Sequence, residues 1–84
     1  MSTKHYVVVY ERPTTRLLMI REFGGSDWAS ANALRNSLEL EYRLQPETEI
    51  VLLWADSVEG LKSTHSRYFV NVVDPDAPAS LRVA

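Results

Sequence analysis

The chain has 84 residues, which provides one hydrophobic core and excludes two independently stable domains. Its 45% hydrophobic and 24% charged residues exclude a disordered protein, and the absence of cysteine excludes a disulfide framework and a thiolate nucleophile. A net charge of −2 argues against a dedicated nucleic-acid binder, because such proteins usually carry a basic excess. No signal peptide or membrane-spanning run is recognisable, so we expect a cytoplasmic protein.

The first predicted elements are two strands joined by a turn. Residues 5–10, HYVVVY, combine β-branched and aromatic side chains, which is typical of a strand. Pro13 removes a backbone donor and predicts a turn, and residues 16–23, RLLMIREF, predict the second strand. The short connection makes the pair an antiparallel hairpin.

A long helix is predicted next. Ser26 or Asp27 can cap its first turn, and apolar residues recur at three- and four-residue steps to about Leu44. Pro46 ends the helix, because the residue before a proline disfavours the helical conformation.

The second half of the chain predicts a strand, a helix and a tail. Residues 49–54, EIVLLW, form a nearly continuous apolar run, as expected for a strand buried on both faces in the middle of a sheet. Asp56 has capping-box spacing and precedes a helix predicted over residues 57–67. Residues 69–73 are ambiguous between an edge strand and an extended exit. The sequence therefore predicts one domain over residues 1–73 and a flexible tail over residues 74–84.

These elements predict an α/β (α+β) fold in the order strand, strand, helix, strand, helix. We expect a small three-stranded sheet in which the first strand is central or pairs with the third, with both helices on one face and a possible short fourth strand.

The order of these segments resembles a family of small uncharacterised actinobacterial and phage proteins. The resemblance rests on YVVVYER, LLMIREFG and VLLWADSVEGLKSTHSRYF, and it covers about residues 5–69. It implies a compact α/β fold and an actinobacterial or phage source. It implies no particular activity.

The segment THSRYF contains the first candidate site. His65, Ser66, Arg67 and Tyr68 together could bind an anion or transfer a proton, and His65 is the residue best suited to act as a general base. On a regular helix, however, His65 and Arg67 point in different directions. The alternative interpretation is the polar end of a helix, with its cations near the negative end of the helix dipole. An enzyme that uses His65 is therefore the third hypothesis for function.

A nucleic-acid-binding face is the second hypothesis. Single-strand binding requires exposed aromatic side chains next to basic ones. The hairpin offers both types, in Tyr6, Tyr10, Arg12, Arg16 and Arg21.

Association with a protein is the leading hypothesis. Strict alternation in the second strand places Leu18 and Ile20 on one face, and the opposite face is also apolar. If both helices cover the same face, the other is an exposed apolar patch, which usually marks an interface. Trp28 and Trp54 could serve as anchors there. We expect a non-enzymatic protein that forms a homodimer or captures a partner, and that needs no cofactor and no metal.

Overall fold

The computed structural model describes residues 3–78 and residue 81. The strands are β1 (Lys4–Glu11), β2 (Arg16–Phe23), β3 (Thr48–Ala55) and β4 (Asn71–Val72); the helices are α1 (Trp28–Glu41) and α2 (Val58–Thr64), and a 3-10 helix spans Ser66–Phe69. The predicted α/β class and element order are confirmed. None of the helices in these residues has the length and hydrophobicity needed to cross a membrane.

The four strands form one sheet in the order β3-β1-β2-β4. β1 is antiparallel to both neighbours, and β4 runs parallel to β2. The prediction of a first strand that is central or pairs with the third is confirmed, as is the possible short fourth strand. The predicted position of β3 in the middle of the sheet is wrong, because β3 lies at an edge. Its continuous apolar run reflects helices on both faces, which partly bury the side chains of residues 48–53 whether or not a second strand lies alongside.

The two helices cover opposite faces of the sheet, so the prediction that both lie on one face is wrong. α1 packs through Ala31 and Leu38 against Val7 and Val9, whereas Leu61 of α2 packs in a second cluster. That second cluster contains the alternate β1 side chains Tyr6, Val8 and Tyr10, together with the 3-10 helix. Since successive side chains of a strand point to opposite faces, the sheet is sheltered on both sides.

A β-bulge in the hairpin changes which side chains share a face. Val9 pairs with Met19 and Tyr10 with Leu17, which leaves Leu18 as the extra residue of β2. Such an insertion shifts the alternation by one position. Leu18 therefore packs in the cluster under α1, and Ile20 is buried in the opposite cluster.

The C-terminal segment is docked rather than flexible in the part that the structure describes. Ala77 and Leu81 are 2% and 3% exposed and belong to the cluster that contains Tyr6. The buried Asp74 accepts a 2.9 Å hydrogen bond from the Ile20 amide and a 2.6 Å bond from Arg21. The predicted flexible tail after residue 73 is thus contradicted at Asp74, Ala77 and Leu81, which are buried against the rest of the domain. The remaining tail positions lie outside the described residues.

The helix caps also differ from the prediction. Asp27 precedes α1 without a side-chain capping bond, and α1 ends at Glu41 rather than near Leu44. α2 is capped by Ser57, whose hydroxyl accepts a 3.0 Å hydrogen bond from the Gly60 amide. The serine replaces the predicted Asp56 cap because its extended backbone places the hydroxyl over the first-turn amides.

Candidate functional site

Two of the four residues of the predicted THSRYF site meet at the carboxylate of Glu49. The Tyr68 hydroxyl donates to Glu49 Oε2 at 2.5 Å, and an Arg67 nitrogen donates to the same oxygen at 3.0 Å. Arg12 donates to Glu49 Oε1 at 3.1 Å. The Arg67 guanidinium also lies over the Tyr68 ring, 4.5 Å from its centroid. We call Glu49, Arg12, Arg67 and Tyr68 the Glu49 cluster.

The hydrogen bonds of the Glu49 cluster hold its groups in fixed protonation states. Burial raises the pKa of Glu49, but the bonds from Tyr68 and Arg12 and the charge of Arg67 outweigh it, and the pKa is lowered overall. Burial, reinforced by the bond to Glu49, raises the pKa of the Tyr68 phenol. The carboxylate therefore stays ionised and the phenol protonated at neutral pH. The cluster fastens the 3-10 helix to β3 and provides no free acid or base.

His65 and Ser66 do not join the Glu49 cluster. The chain changes from α2 to the 3-10 helix at His65, and the His65 ring is 6.3 Å from the Tyr68 ring. Among residues 3–78 and 81, neither side chain makes a hydrogen bond that would orient it for catalysis. His65 borders a groove beside β3, and with Ser66 and Arg67 it lines a smaller cavity of about 190 Å³.

Glu49 is the residue that sequence reasoning missed at this site. It lies at one end of an apolar strand and shares a face of that strand with Val51 and Leu53, whose side chains pack against the core. A carboxylate at a core-facing position needs a compensating partner. The core-facing position of Glu49 in the strand was therefore the signal that it has a polar or cationic partner. The sequence alone does not show that Arg12 and Arg67 are its cationic partners.

A second buried tyrosine offers a contrast that can be measured. The Tyr6 hydroxyl is buried with no hydrogen-bond partner among the described residues, and burial, with a smaller contribution from Glu22, raises the pKa of Tyr6 to about 12. We expect Tyr6→Phe to leave the free energy of unfolding unchanged or to raise it by up to about 1 kcal/mol, because no hydrogen bond is lost. Tyr68→Phe is the matched control and should lower it by about 1 kcal/mol or more. Urea denaturation measures both; a large loss for Tyr6→Phe would contradict the unpaired hydroxyl.

The tyrosines of the predicted nucleic-acid face are not available for stacking, and its arginines each pair with a carboxylate. Tyr6 and Tyr10 are 0% and 5% exposed, so neither ring can stack on a base. The three arginines already contact carboxylates. The pairs are Arg12 with Glu49, Arg16 with Glu11, and Arg21 with Asp74 and Asp76.

The four predicted interface residues separate into two pairs. Leu18 and Ile20 pack in the clusters on opposite sides of the sheet, so they do not form an exposed patch. Trp28 and Trp54, in contrast, are 55% and 64% exposed. Trp54 lies near the end of β3, the edge strand.

The hydrogen-bond pattern shows which β3 residues direct their backbone away from the sheet. Arg12 donates to the carbonyl of Glu47 directly opposite, at 3.0 Å, so this is a hydrogen-bonded pair. Because such pairs alternate along an antiparallel ladder, residues 49, 51, 53 and 55 bond to β1 and the intervening residues face outward. The same alternation requires the Ile20 amide of β2 to point away from β1. This amide bonds to Asp74 on the outer side of β2, which confirms the assignment.

The outward groups of Ile50, Leu52 and Trp54 form what we call the open edge. Among residues 3–78 and 81, no backbone or side-chain group bonds to their N–H and C=O groups on this side. Thr48 is the next outward-facing residue toward the start of β3, and its amide donates a hydrogen bond to the carbonyl of Gln45. The open edge thus presents three unpaired donors and three unpaired acceptors in a row.

The opposite edge of the sheet is closed by the chain itself. The outward carbonyl of Leu17 accepts a 3.1 Å bond from the Val73 amide, and the outward amide of Ile20 donates to Asp74. Beyond them β4 has only two residues. Short edge strands and covered edges are the usual protection against unwanted pairing. In the part of the chain that the structure describes, β3 has no such protection. It is eight residues long, with no charge and no proline over residues 50–55.

Two cavities flank β3. A groove of about 270 Å³ runs along the open edge and is lined by Leu52, Leu53, Trp54 and His65. A larger cavity of about 360 Å³ lies beside the Glu49 cluster, where Arg12 and Arg43 face Glu39 and Glu49. These balanced charges select neither an anion nor a cation. Within the described ranges, no three acidic or histidine side chains are placed to hold a metal ion.

Comparisons of this chain with protein-family models, with curated proteins and with solved structures find no match. The resemblance to small actinobacterial and phage proteins therefore stays a prediction.

Proposed function

We propose that this protein is a non-enzymatic, cytoplasmic binding module that adds an extended strand of protein to the open edge. The observation that supports the proposal is the row of unpaired backbone groups on Ile50, Leu52 and Trp54. Main-chain hydrogen bonds give affinity in such strand addition, and side-chain pockets give specificity. The source expected from the resemblance, an actinobacterium or its phage, belongs to the same proposal.

The surroundings of the open edge favour an apolar strand as the occupant. Residues 50–55 carry no charge, and the exposed Trp54 is the type of side chain that anchors protein interfaces. The adjacent groove contributes Leu52 and Leu53 to the same surface. Nucleic acid is disfavoured at this edge, because phosphate capture requires cations that it lacks.

Residue-resolved amide hydrogen exchange tests the proposal. In dilute protein we expect the amides of Ile50, Leu52 and Trp54 to exchange much faster than those of Val51 and Leu53, which bond to β1. Peptides selected on the whole protein from a display library should then slow the exchange of those three amides. Selected peptides that leave all three unprotected, or a selection that yields no binder, would contradict strand addition.

A matched pair of tryptophan variants adds a second readout. Trp54→Lys should weaken peptide binding about tenfold or more, because it removes an anchor and places a charge at the edge. Trp28→Lys changes a similarly exposed tryptophan outside β3 and should leave the affinity unchanged. Equal losses in both variants would mean that the peptides bind elsewhere.

A further inference from the structure

We infer that the strand added to the open edge is β3 of a second copy of this chain, paired antiparallel about a two-fold axis at Leu52. The inference rests on the proposed function and names its partner. Closed two-fold dimers use the same surface patch on both subunits, so the patch must be complementary to itself. The open edge meets this condition in its backbone, its side chains and its charge.

The backbone of β3 is self-complementary in one register. When Leu52 faces Leu52 of the partner subunit, Ile50 faces the partner's Trp54, and Trp54 faces the partner's Ile50. All three are outward-facing residues, so every unpaired group of the open edge gains a partner. Each pair exchanges two hydrogen bonds, about six in total. Moving the axis to Val51 would place Trp54 opposite the partner's Thr48, and moving it to Leu53 would place Ile50 opposite the partner's Asp56. Either register leaves part of the open edge unpaired.

The side chains also match in this register. Ile50, Leu52 and Trp54 share the α1 side of the sheet, because Ile50 and Leu52 pack in the α1 cluster and alternate residues of a strand share a face. The exposed Trp54 ring would therefore cross the partner's Ile50, and aromatic pairs with β-branched residues stabilise neighbouring strands. The half-buried Leu52 side chains meet on the axis.

Charge does not oppose the pairing. The charged residue within β3 is Glu49, which faces the partner's Ala55 in this register and already bonds to Arg12, Arg67 and Tyr68. Like charges opposite one another destabilise strand pairs, and none meet here. Because the seam is uncharged, association should be insensitive to salt.

Light scattering on the whole protein across concentration and salt tests the dimer. We expect a dimer that persists in high salt. Its dissociation constant should rise at least tenfold in Trp54→Lys and stay unchanged in Trp28→Lys. A monomer at the highest soluble concentration would overturn self-pairing, yet strand addition would stand if selected peptides still protected the open-edge amides. A dimer insensitive to Trp54→Lys, with those amides unprotected both in the dimer and in the peptide complexes, would overturn both.

Cysteine substitution tests the register, because the natural chain contains no cysteine. Hydrogen-bonded strand pairs place their Cα atoms about 5.5 Å apart, which suits a disulfide. Under a mild oxidant, Leu52→Cys should form a covalent dimer, whereas Val51→Cys and Leu53→Cys should not, since residues off the axis are farther from their own copies. Crosslinking of Val51→Cys or Leu53→Cys in preference to Leu52→Cys would overturn the axis at Leu52. Circular dichroism confirms that each variant is folded.

Discussion

Removal of residues 74–84 should lower the free energy of unfolding by about 4 kcal/mol, because it uncovers one side of the core and unpairs a buried amide. Leu81 is 3% exposed, and the Asp74 carboxylate accepts a hydrogen bond from the outward-pointing amide of Ile20. For a domain of this size, such a loss lowers the melting temperature by about 15 to 30 °C. Thermal unfolding followed by circular dichroism measures it.

Two point variants separate the contributions to this effect. Leu81→Ala removes only the apolar contact. Asp74→Ala removes the carboxylate that accepts hydrogen bonds from Ile20, Arg21 and the Asp76 amide. Leu44→Ala is the control, because Leu44 is 84% exposed and should change the melting temperature very little. A truncated chain as stable as the full one would show that the C-terminal segment is dispensable for folding, as the composition of the tail by itself suggests.

Leu61→Ala should lower the free energy of unfolding by about 2 to 5 kcal/mol, the second-largest effect. Leu61 is fully buried and is the buried residue of α2, so its truncation leaves a cavity between that helix and the sheet. Urea denaturation measures the loss. Leu40→Ala is the control: Leu40 is 64% exposed, and we expect a change within about 0.5 kcal/mol.

The same experiment distinguishes an edge position of β3 from a central one. Leu52 is half-buried in an edge strand, so Leu52→Ala should cost about half as much as Leu61→Ala. The comparison is made in Trp54→Lys protein, in which the proposed seam is broken. A loss for Leu52→Ala equal to that for Leu61→Ala would contradict the edge position of β3.

The Glu49 cluster shows which part of a site the sequence can predict. Arg67 and Tyr68 were predicted to act together, and they do meet, but on a carboxylate 18 and 19 residues earlier in the chain. Such a meeting depends on the packing of the 3-10 helix against β3, which no local pattern encodes. His65 is adjacent to them in sequence and lines a small cavity with Arg67, but among the described residues its side chain makes no bond to Glu49.

The sequence by itself determined the elements of this protein, because strand and helix propensity and hydrophobic period are local properties. It therefore predicted the hairpin, the long helix and the apolar β3, and the hairpin in turn favoured a first strand that is central or pairs with the third. Tertiary structure decided which face each helix covers, where the bulge lies, and that Ala77 and Leu81 join the core. It also decided that β3 lies at an edge, because a strand packed between helices has the same apolar sequence with one neighbour as with two. Only the ladder shows that the outward groups of Ile50, Leu52 and Trp54 have no partner among residues 3–78 and 81.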